Sequence, residues 1–275
     1  MQWTFATPDT AVSHVVASYY LIEEDYAVLE DMQRADVGQL RIFLRGSGYY
    51  EFGRGVRIAS TRIFLTGPFT QSMKTVVQGP VRFIGISLMP QFWGGVVNID
   101  AASLSNSGCE AADLFGVEIE DLHAALGTIE SIEEMGRLID TFLIAKMRPI
   151  QPDHRVVIGA ITRWLASATF PDLAQLYAGL ALSDRQVTRI ANRYFGAPPK
   201  TLARTYGALK TASSIVMSGG HIPDEAVAHY ADKSHLIREV RRVTGQTPRQ
   251  LVTSRSPIMR MTLHPSNFKE LGFKP

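Results

Sequence analysis

One stretch constrains this chain more than any other: residues 172–249 carry the same helical plan twice. The first copy runs from Asp172 to Gly196 and the second from Pro223 to Gly245. Each opens with a short helical segment, turns tightly, and continues in a second helix loaded with arginine. Each ends on a glycine that soon meets a proline, Pro198 in one copy and Pro248 in the other.

In the first copy, Ser183 and Gln186 have the spacing of a capping box, in which side chains and main chain satisfy each other's free donors. Gly196 supplies the usual stop. At about 100° per residue, Val187, Ile190, Ala191 and Tyr194 share one side of the helix. Arg185, Thr188, Arg189, Asn192 and Arg193 take the other, giving a basic, hydrogen-bonding face behind a buried stripe. In the second copy, Asp232 suits an N-cap and Pro223 suits the first turn of the preceding helix. Leu236, Val240 and Val243 form the stripe, with Ile237 at its edge. Ser234, His235, Arg238, Arg241 and Arg242 face away, and Lys233 lies in the first turn. A lone amphipathic helix with outward arginines is as often a solvated surface helix. Two matched copies point instead to twin helix-turn-helix units that present basic helices to DNA.

These residues carry a family resemblance. The stretches Leu182-Ser-x-Arg-Gln-Val-x-Arg189, Phe195-Gly-x-x-Pro-Lys200, Ala231-Asp-Lys-Ser-His235, Ile237-Arg-Glu-Val-Arg241 and Thr244-Gly-x-Thr-Pro-Arg249 resemble the DNA-binding region of the AraC-type (AraC/XylS) transcriptional regulators. The resemblance extends from near His154 to near Thr253. It implies a seven-helix unit with two helix-turn-helix motifs joined by a long helix, binding promoter DNA. Departures accompany it. His229 stands where the family usually has a turn glycine, so it is expected in a backbone region that disfavours side chains. Leu236 and Val240 replace the usual phenylalanines, and Ala191 stands where phenylalanine is common.

Around the two units, His154–Ala168 reads as an opening helix with Val157, Ile161, Trp164 and Leu165 buried. Pro199–Ser218 reads as one connecting helix, with Leu202, Tyr206, Leu209, Ala212 and Val216 serving both cores. Such a rod spans roughly 30 Å, against about 34 Å between successive major-groove faces, so one chain can address two turns of duplex. Guanidinium and amide side chains read base edges. Arg185, Gln186, Thr188, Arg189 and Asn192 are therefore the expected base contacts of the first unit, and Ser234, His235 and Arg238 those of the second. Arg193, Lys200, Lys233, Arg241 and Arg242 are expected at phosphates, which position the protein without reading sequence. On that basis, removing Arg242 would flatten the salt dependence of binding. Arg204 and Lys210 of the connecting helix read as surface residues.

Charge divides the chain the same way. Residues 1–150 hold 11 Lys/Arg against 18 Asp/Glu, a net −7, whereas residues 151–275 hold 17 against 8, a net +9. A basic half for nucleic acid joined to an acidic half that avoids phosphate is one reading; ordinary variation between domains is the other.

The acidic half reads as short strands between glycine and proline breaks. They are Ala11–Ile22, Gln39–Leu44, Gly48–Phe52, Val56–Ile58, Arg62–Leu65, Gln71–Val77 and Val81–Leu88. The acidic stretch from Asp25 to Asp36 is expected to be exposed. This spacing suggests a sandwich or barrel. Beside an AraC-like region it resembles the small cupin-type barrel that such regulators often carry as a sensor. Only His14 and His123 are present, far apart in sequence, so metal catalysis is not expected. Phe43, Phe52, Phe64, Phe83 and Trp93 could line an effector pocket, with Arg41 or Arg82 as anchor, or form ordinary core; no ligand can be named from them. Beyond Pro90 the chain turns helical at Ala111–Phe115, Ile119–Leu126 and Ser131–Met147. The last helix either packs on the barrel or forms a homodimer. Arg148–Asp153, with two prolines, is the linker candidate. Ser256–Pro275, with prolines at 257, 265 and 275 and no clear period, is expected as a loose tail or one lying on another surface.

The fold class is therefore α+β: an N-terminal cupin-like β-barrel or sandwich with helices, then an all-α domain with two helix-turn-helix motifs. The divisions are 1–148 for sensing or dimerisation, 149–153 as linker, 154–255 for DNA and 256–275 as tail. The function expected is sequence-specific transcriptional regulation, responsive to a small-molecule effector and, for an activator, in contact with RNA polymerase. The alternative is a protein-interaction scaffold with weakened DNA readout, which would lack salt-dependent retention of DNA. No Gly-x-Ser-x-Gly elbow, P-loop or dinucleotide fingerprint supports an enzyme, and no cofactor is expected. The single Cys109 excludes an internal disulfide. Together with the lack of an export signal or of an apolar run long enough for a membrane, it predicts a cytoplasmic protein.

Overall fold

A computed structural model describes residues 2–271 apart from Tyr26 and Arg255. Its N-terminal half is one antiparallel sheet of eight strands: β1 Gln2–Ala6, β2 Val16–Glu24, β3 Val28–Gln33, β4 Gln39–Phe52, β5 Val56–Ser60, β6 Ile63–Thr66, β7 Met73–Leu88 and β8 Gly108–Glu110. The order β1-β2-β7-β4-β6-β8 runs through the two long strands, and β3 and β5 pair with their other ends.

The long strands explain where the sequence reading breaks the sheet too often. Residues 39–44 and 48–52 belong to one strand, as do 73–77 and 81–88. The Arg45-Gly46-Ser47 break is a pair of register shifts inside β4, not a turn. There Gly46 adopts φ +85°, and a Cβ on it would lie 2.9 Å from the carbonyl oxygens of Gln78 and Pro80. Bulges of this kind bend a strand, and they let β4 and β7 serve two leaves of the sheet. Residues 11–15 form turns ahead of β2, and the stretch expected to be exposed at 25–36 instead contributes β3 and then dives inward, with Gln33, Arg34 and Ala35 buried.

Four helices cover the outer leaf: α1 Gln91–Gly95, α2 Ala112–Phe115, α3 Glu118–Leu126 and α4 Ile132–Lys146. Ile132, Met135, Ile139 and Leu143 of α4 close a core with Tyr19, Ile42, Leu65, Ile84 and Trp93. Asp140, also on this face, accepts a hydrogen bond from the Tyr19 hydroxyl at 2.6 Å. One face of α4 thus packs on the sheet.

The C-terminal half is helical: α5 Pro152–Ser167, α6 Leu173–Ala178, α7 Asp184–Phe195, α8 Pro199–Met217, α9 Asp224–His229, α10 Lys233–Thr244, α11 Pro248–Thr253 and α12 Pro257–Thr262, followed by single 3-10 turns at Pro265–Asn267 and Lys269–Leu271. The segment 147–151 between the halves is docked, with Arg148 N–H on the Gly95 carbonyl at 2.7 Å. The tail is not loose. Met259, Leu263, Phe268 and Leu271 are buried in the core shared by α5, α7, α8 and α10, and Ala35 of the N-terminal half joins that core. Pro275, named above with the tail, lies outside the described residues.

Candidate nucleic-acid interface and effector cavity

Local chemistry sets the two exposed helices. Ser183 Oγ accepts from Gln186 N–H while Gln186 Oε1 accepts from Ser183 N–H at 3.0 Å, and Gly196 closes α7 in the left-handed conformation. Asp232 caps α10 by accepting from His235 N–H at 2.7 Å, and Gly245 closes it in the same way. The apolar stripes are buried as their periodicity requires: Val187, Ile190, Ala191 and Tyr194 in α7, and Leu236, Val240 and Val243 in α10.

The connecting helix α8, about 28 Å long at 1.5 Å per residue, is bolted to α10. Glu239 is 4% exposed and accepts a bidentate pair from Arg204, with Nε at 2.7 Å, and a further bond from Arg242 at 3.2 Å. Burial pushes the Glu239 carboxyl up, but the Arg204 hydrogen bonds and the charges of Arg242 and Arg204 outweigh it and hold the group below the usual range. Arg204 is therefore a clamp rather than a free surface residue. Lys210 likewise donates to the carbonyls of Leu165 and Ala168 at the end of α5.

His229 departs from its expected strain. It ends α9 without a left-handed backbone, and Gly179 in the matching turn has φ −81°. The turn geometry therefore does not demand glycine. The His229 ring instead stacks on Phe170, with centroids 3.6 Å apart and planes at 6°. Burial and the neighbouring His235 push its imidazole down.

Of the thirteen residues expected to meet DNA, eight are exposed: Arg185, Gln186, Arg189, Lys200, Lys233, Ser234, Arg238 and Arg241. Thr188, Asn192 and His235 are half-buried, with His235 edge-on to Tyr230 at 5.2 Å. Gln186 is exposed, but its Oε1 is engaged in the cap, leaving only the amide N–H groups for a base.

Two assignments need correction. Arg193 and Arg242, expected at phosphates, face the N-terminal half instead. Arg193 donates to Asp100 Oδ1 at 2.7 Å and to Asn98 Oδ1 at 2.8 Å. Arg242 donates to the Thr70 carbonyl and pairs with Glu239. Both lie in the last turn of their helices, where α7 meets the loop after α1 and α10 meets the loop between β6 and β7, so in this arrangement their charges are committed. The first turns stay free, and it is the N-terminal end of such a helix that reaches base edges.

Between the halves, beneath the C-terminal tail, lies a partly open cavity of roughly 90 Å³. Phe43, Phe83 and Arg41 line it as the sequence suggests, together with Trp3, Tyr20 and Glu270, which the sequence reading missed. Phe52 and Phe64 pack elsewhere with Tyr50, Phe69 and Met73, Trp93 belongs to the main N-terminal core, and Arg82 pairs with Glu23 and Glu130. At the cavity's inner edge Arg34, 1% exposed, donates to the carbonyls of Thr262 (2.8 Å), Ala35 (2.7 Å) and Asn267 (3.3 Å). It also pairs with Asp36 at 3.4 Å and lies over the Phe268 ring at 4.5 Å. One side chain thus ties the β3–β4 junction to the tail. Among the described residues, no group of three His, Cys, Asp or Glu could hold a metal, and no helix is long and apolar enough to cross a membrane.

These features define a class: a bent antiparallel sheet with a cavity, packed on a helical unit that holds two helix-turn-helix motifs. It is the architecture implied by the AraC-type resemblance. Solved structures similar to the chain include ToxT from Vibrio cholerae, at 8% identity and TM-score 0.44 over 92% of this chain and 98% of that chain. ToxT with an unsaturated fatty acid bound gives 11% and 0.43, over 86% and 94%. The AraC-like transcriptional activator CuxR gives 16% and 0.33, over 69% and 79%. No family model and no curated protein matches the sequence.

Proposed function

We propose that this chain is a sequence-specific, double-stranded DNA-binding transcriptional regulator of the AraC type. In this reading residues 154–255 bind DNA and residues 1–148 sense a small-molecule effector. The observation that supports it most is the pair of capped helices, α7 and α10, whose first turns and outer faces leave Arg185, Arg189, Lys233, Arg238 and Arg241 in solvent while α8 holds them apart. Solvated cations on two helices joined by one rod suit the repeating negative surface of a duplex.

Arg185, Arg189 and Arg238 are the groups assigned to base edges, with Asn192, Thr188, Ser234 and His235 beside them. Lys200, Lys233 and Arg241 are assigned to phosphates. Arg193 and Arg242 are left out because their partners are internal. The experiment is selection of bound fragments from random duplex DNA by the purified chain, followed by anisotropy titrations of a selected site over a salt series. A shared motif among the fragments and a steep loss of affinity with salt are the expected results. Fragments with no shared motif, or no retention at low salt, would favour a scaffold that keeps the fold alone.

A further inference from the structure

Two buried side chains that line the cavity each carry a polar atom without a partner among the described residues. Glu270, in the last described turn of the tail, is 5% exposed, and its Oε1 meets no hydrogen-bonding group among them. Thr75, on β7, is 7% exposed, and its Oγ1 is likewise unpaired. Both line the space beneath the tail. Buried polar atoms without partners are rare in folded proteins, so two in one cavity point to a group supplied from outside.

The two arginines of the wall are already engaged. Arg41 gives Nη2 to Gln33 Oε1 at 2.6 Å and Nε to the Tyr20 hydroxyl at 3.2 Å, and lies over the Tyr50 ring at 5.0 Å. Arg34 is held by three carbonyls and Asp36, as described above. Two arginines against Asp36 and Glu270 make a set that is neutral when Glu270 is ionised. A carboxylate guest would add a third acid beside those two, and an amine would leave an excess positive charge near the arginines. An uncharged guest preserves the balance, and in a cavity of low polarity that balance decides affinity. The remaining wall joins aliphatic side chains such as Ile22, Val77 and Met261 to a cluster of rings. Phe43 and Phe83 stack at 4.8 Å, and Tyr20 stands edge-on to Phe83 at 6.3 Å, an arrangement that a flat ring can extend.

We propose that this cavity binds a neutral, ring-bearing molecule with one hydroxyl or N–H donor, and that Glu270 Oε1 accepts that donor. The inference rests on the reading of the cavity as the effector site of a regulator. Glu270 belongs to the tail and interacts with Tyr206 of α8 and with Arg34. The guest therefore touches the residues that join the tail, the connecting helix and the β3–β4 junction.

The test uses three matched probes on the full chain by isothermal titration calorimetry at about pH 8.5, where Glu270 is ionised: indole, 1-methylindole, which lacks the donor, and indole-3-carboxylate, which adds the acid. Indole is expected to bind about tenfold more tightly than either, the size of effect a hydrogen bond to a charged acceptor gives. Glu270→Leu is expected to bring indole and 1-methylindole to within about twofold of each other. Thr75→Val, a smaller change that keeps the measurement possible if Glu270→Leu does not fold, is expected to weaken indole by about threefold. Equal or tighter binding of the carboxylate, persistence of the indole preference in Glu270→Leu, or no binding of any probe at millimolar concentration would each overturn the proposal. The regulator reading is decided separately, by the salt-dependent DNA affinity of the protein without any probe.

Discussion

The two helix-turn-helix units follow one plan in sequence but meet the rest of the molecule differently. The first reaches the N-terminal half through side chains: Arg193 on Asp100 and Asn98, and the Tyr194 ring against Gly94. The second is joined through main chain, with Ala35 N–H on the Val243 carbonyl at 2.6 Å and Ser72 N–H on the Arg242 carbonyl at 2.8 Å. It also uses the half-buried Arg242, while Ala35 follows Arg34, whose guanidinium holds the tail. The Arg193 contacts, whose partner Asp100 is exposed, can be exchanged for water, whereas main-chain pairing next to a buried ion cluster cannot be released without exposing it. The second unit is therefore tied to the N-terminal half by main chain beside a buried ion cluster, and the first by a packed tyrosine and a half-buried arginine.

Perturbations should break this asymmetry in a definite order. Arg34→Met is expected to have the largest effect, lowering stability by about 3–5 kcal/mol in urea unfolding, because it leaves Asp36 and three carbonyls buried without their donor. Arg242→Ala should cost about 2–4 kcal/mol, since Glu239 and the Thr70 carbonyl each lose a donor. It should leave the salt slope of DNA binding unchanged, contrary to the phosphate role its sequence position suggests. Arg189→Ala should leave stability alone and weaken binding to a selected site by about 1–3 kcal/mol, relaxing the preference at one base pair.

Next comes pH. Burial, only partly countered by Arg34, raises the Glu270 carboxyl to about 7, against roughly 4.3 when unfolded. The folded chain then holds a proton that the unfolded chain has lost. Stability from this group is complete below about pH 4.3 and falls as pH rises through about 7, by at most about 1.4 kcal/mol per pH unit. The groups facing it are Arg34, Asp36 and Tyr206. Subtracting the pH profile of Glu270→Gln from that of the parent chain isolates the term; a flat difference would contradict it. Smallest is Arg193→Ala, at about 0–1 kcal/mol, because its partner Asp100 is 59% exposed. A loss as large as that for Arg242 would erase the distinction between the units.

The helical half was legible because its signals are local. Ser183 with Gln186, Asp232, Gly196 and Gly245 fix the ends of α7 and α10 within the segments themselves, and the 3.6-residue period fixes their buried sides. The strands were legible as apolar runs but not as two long bent strands, since a bulge and a turn both look like glycine-rich breaks. The tail and the cavity were not legible for a different reason. Arg34 meets Thr262 across 228 residues, and nothing around Asp25–Asp36 marks one arginine among acids as the buried one. Met259, Leu263, Phe268 and Leu271 keep no common period, because the first two pack from the short α12 and its cap and the others from single turns. The commitment of Arg193 and Arg242 was hidden likewise, because a helical wheel separates faces but says nothing of what lies beyond each end.

The central claim is that two capped helices, held apart by α8, present their free cations to one duplex. The most direct measurement is the slope of log Kobs against log salt for a selected site, taken for the parent chain and for Arg241→Ala. The account predicts a steep negative slope that becomes shallower by about 0.9 when Arg241 is removed. A parent slope near zero, or no retention of duplex at low ionic strength by the folded protein, would contradict it.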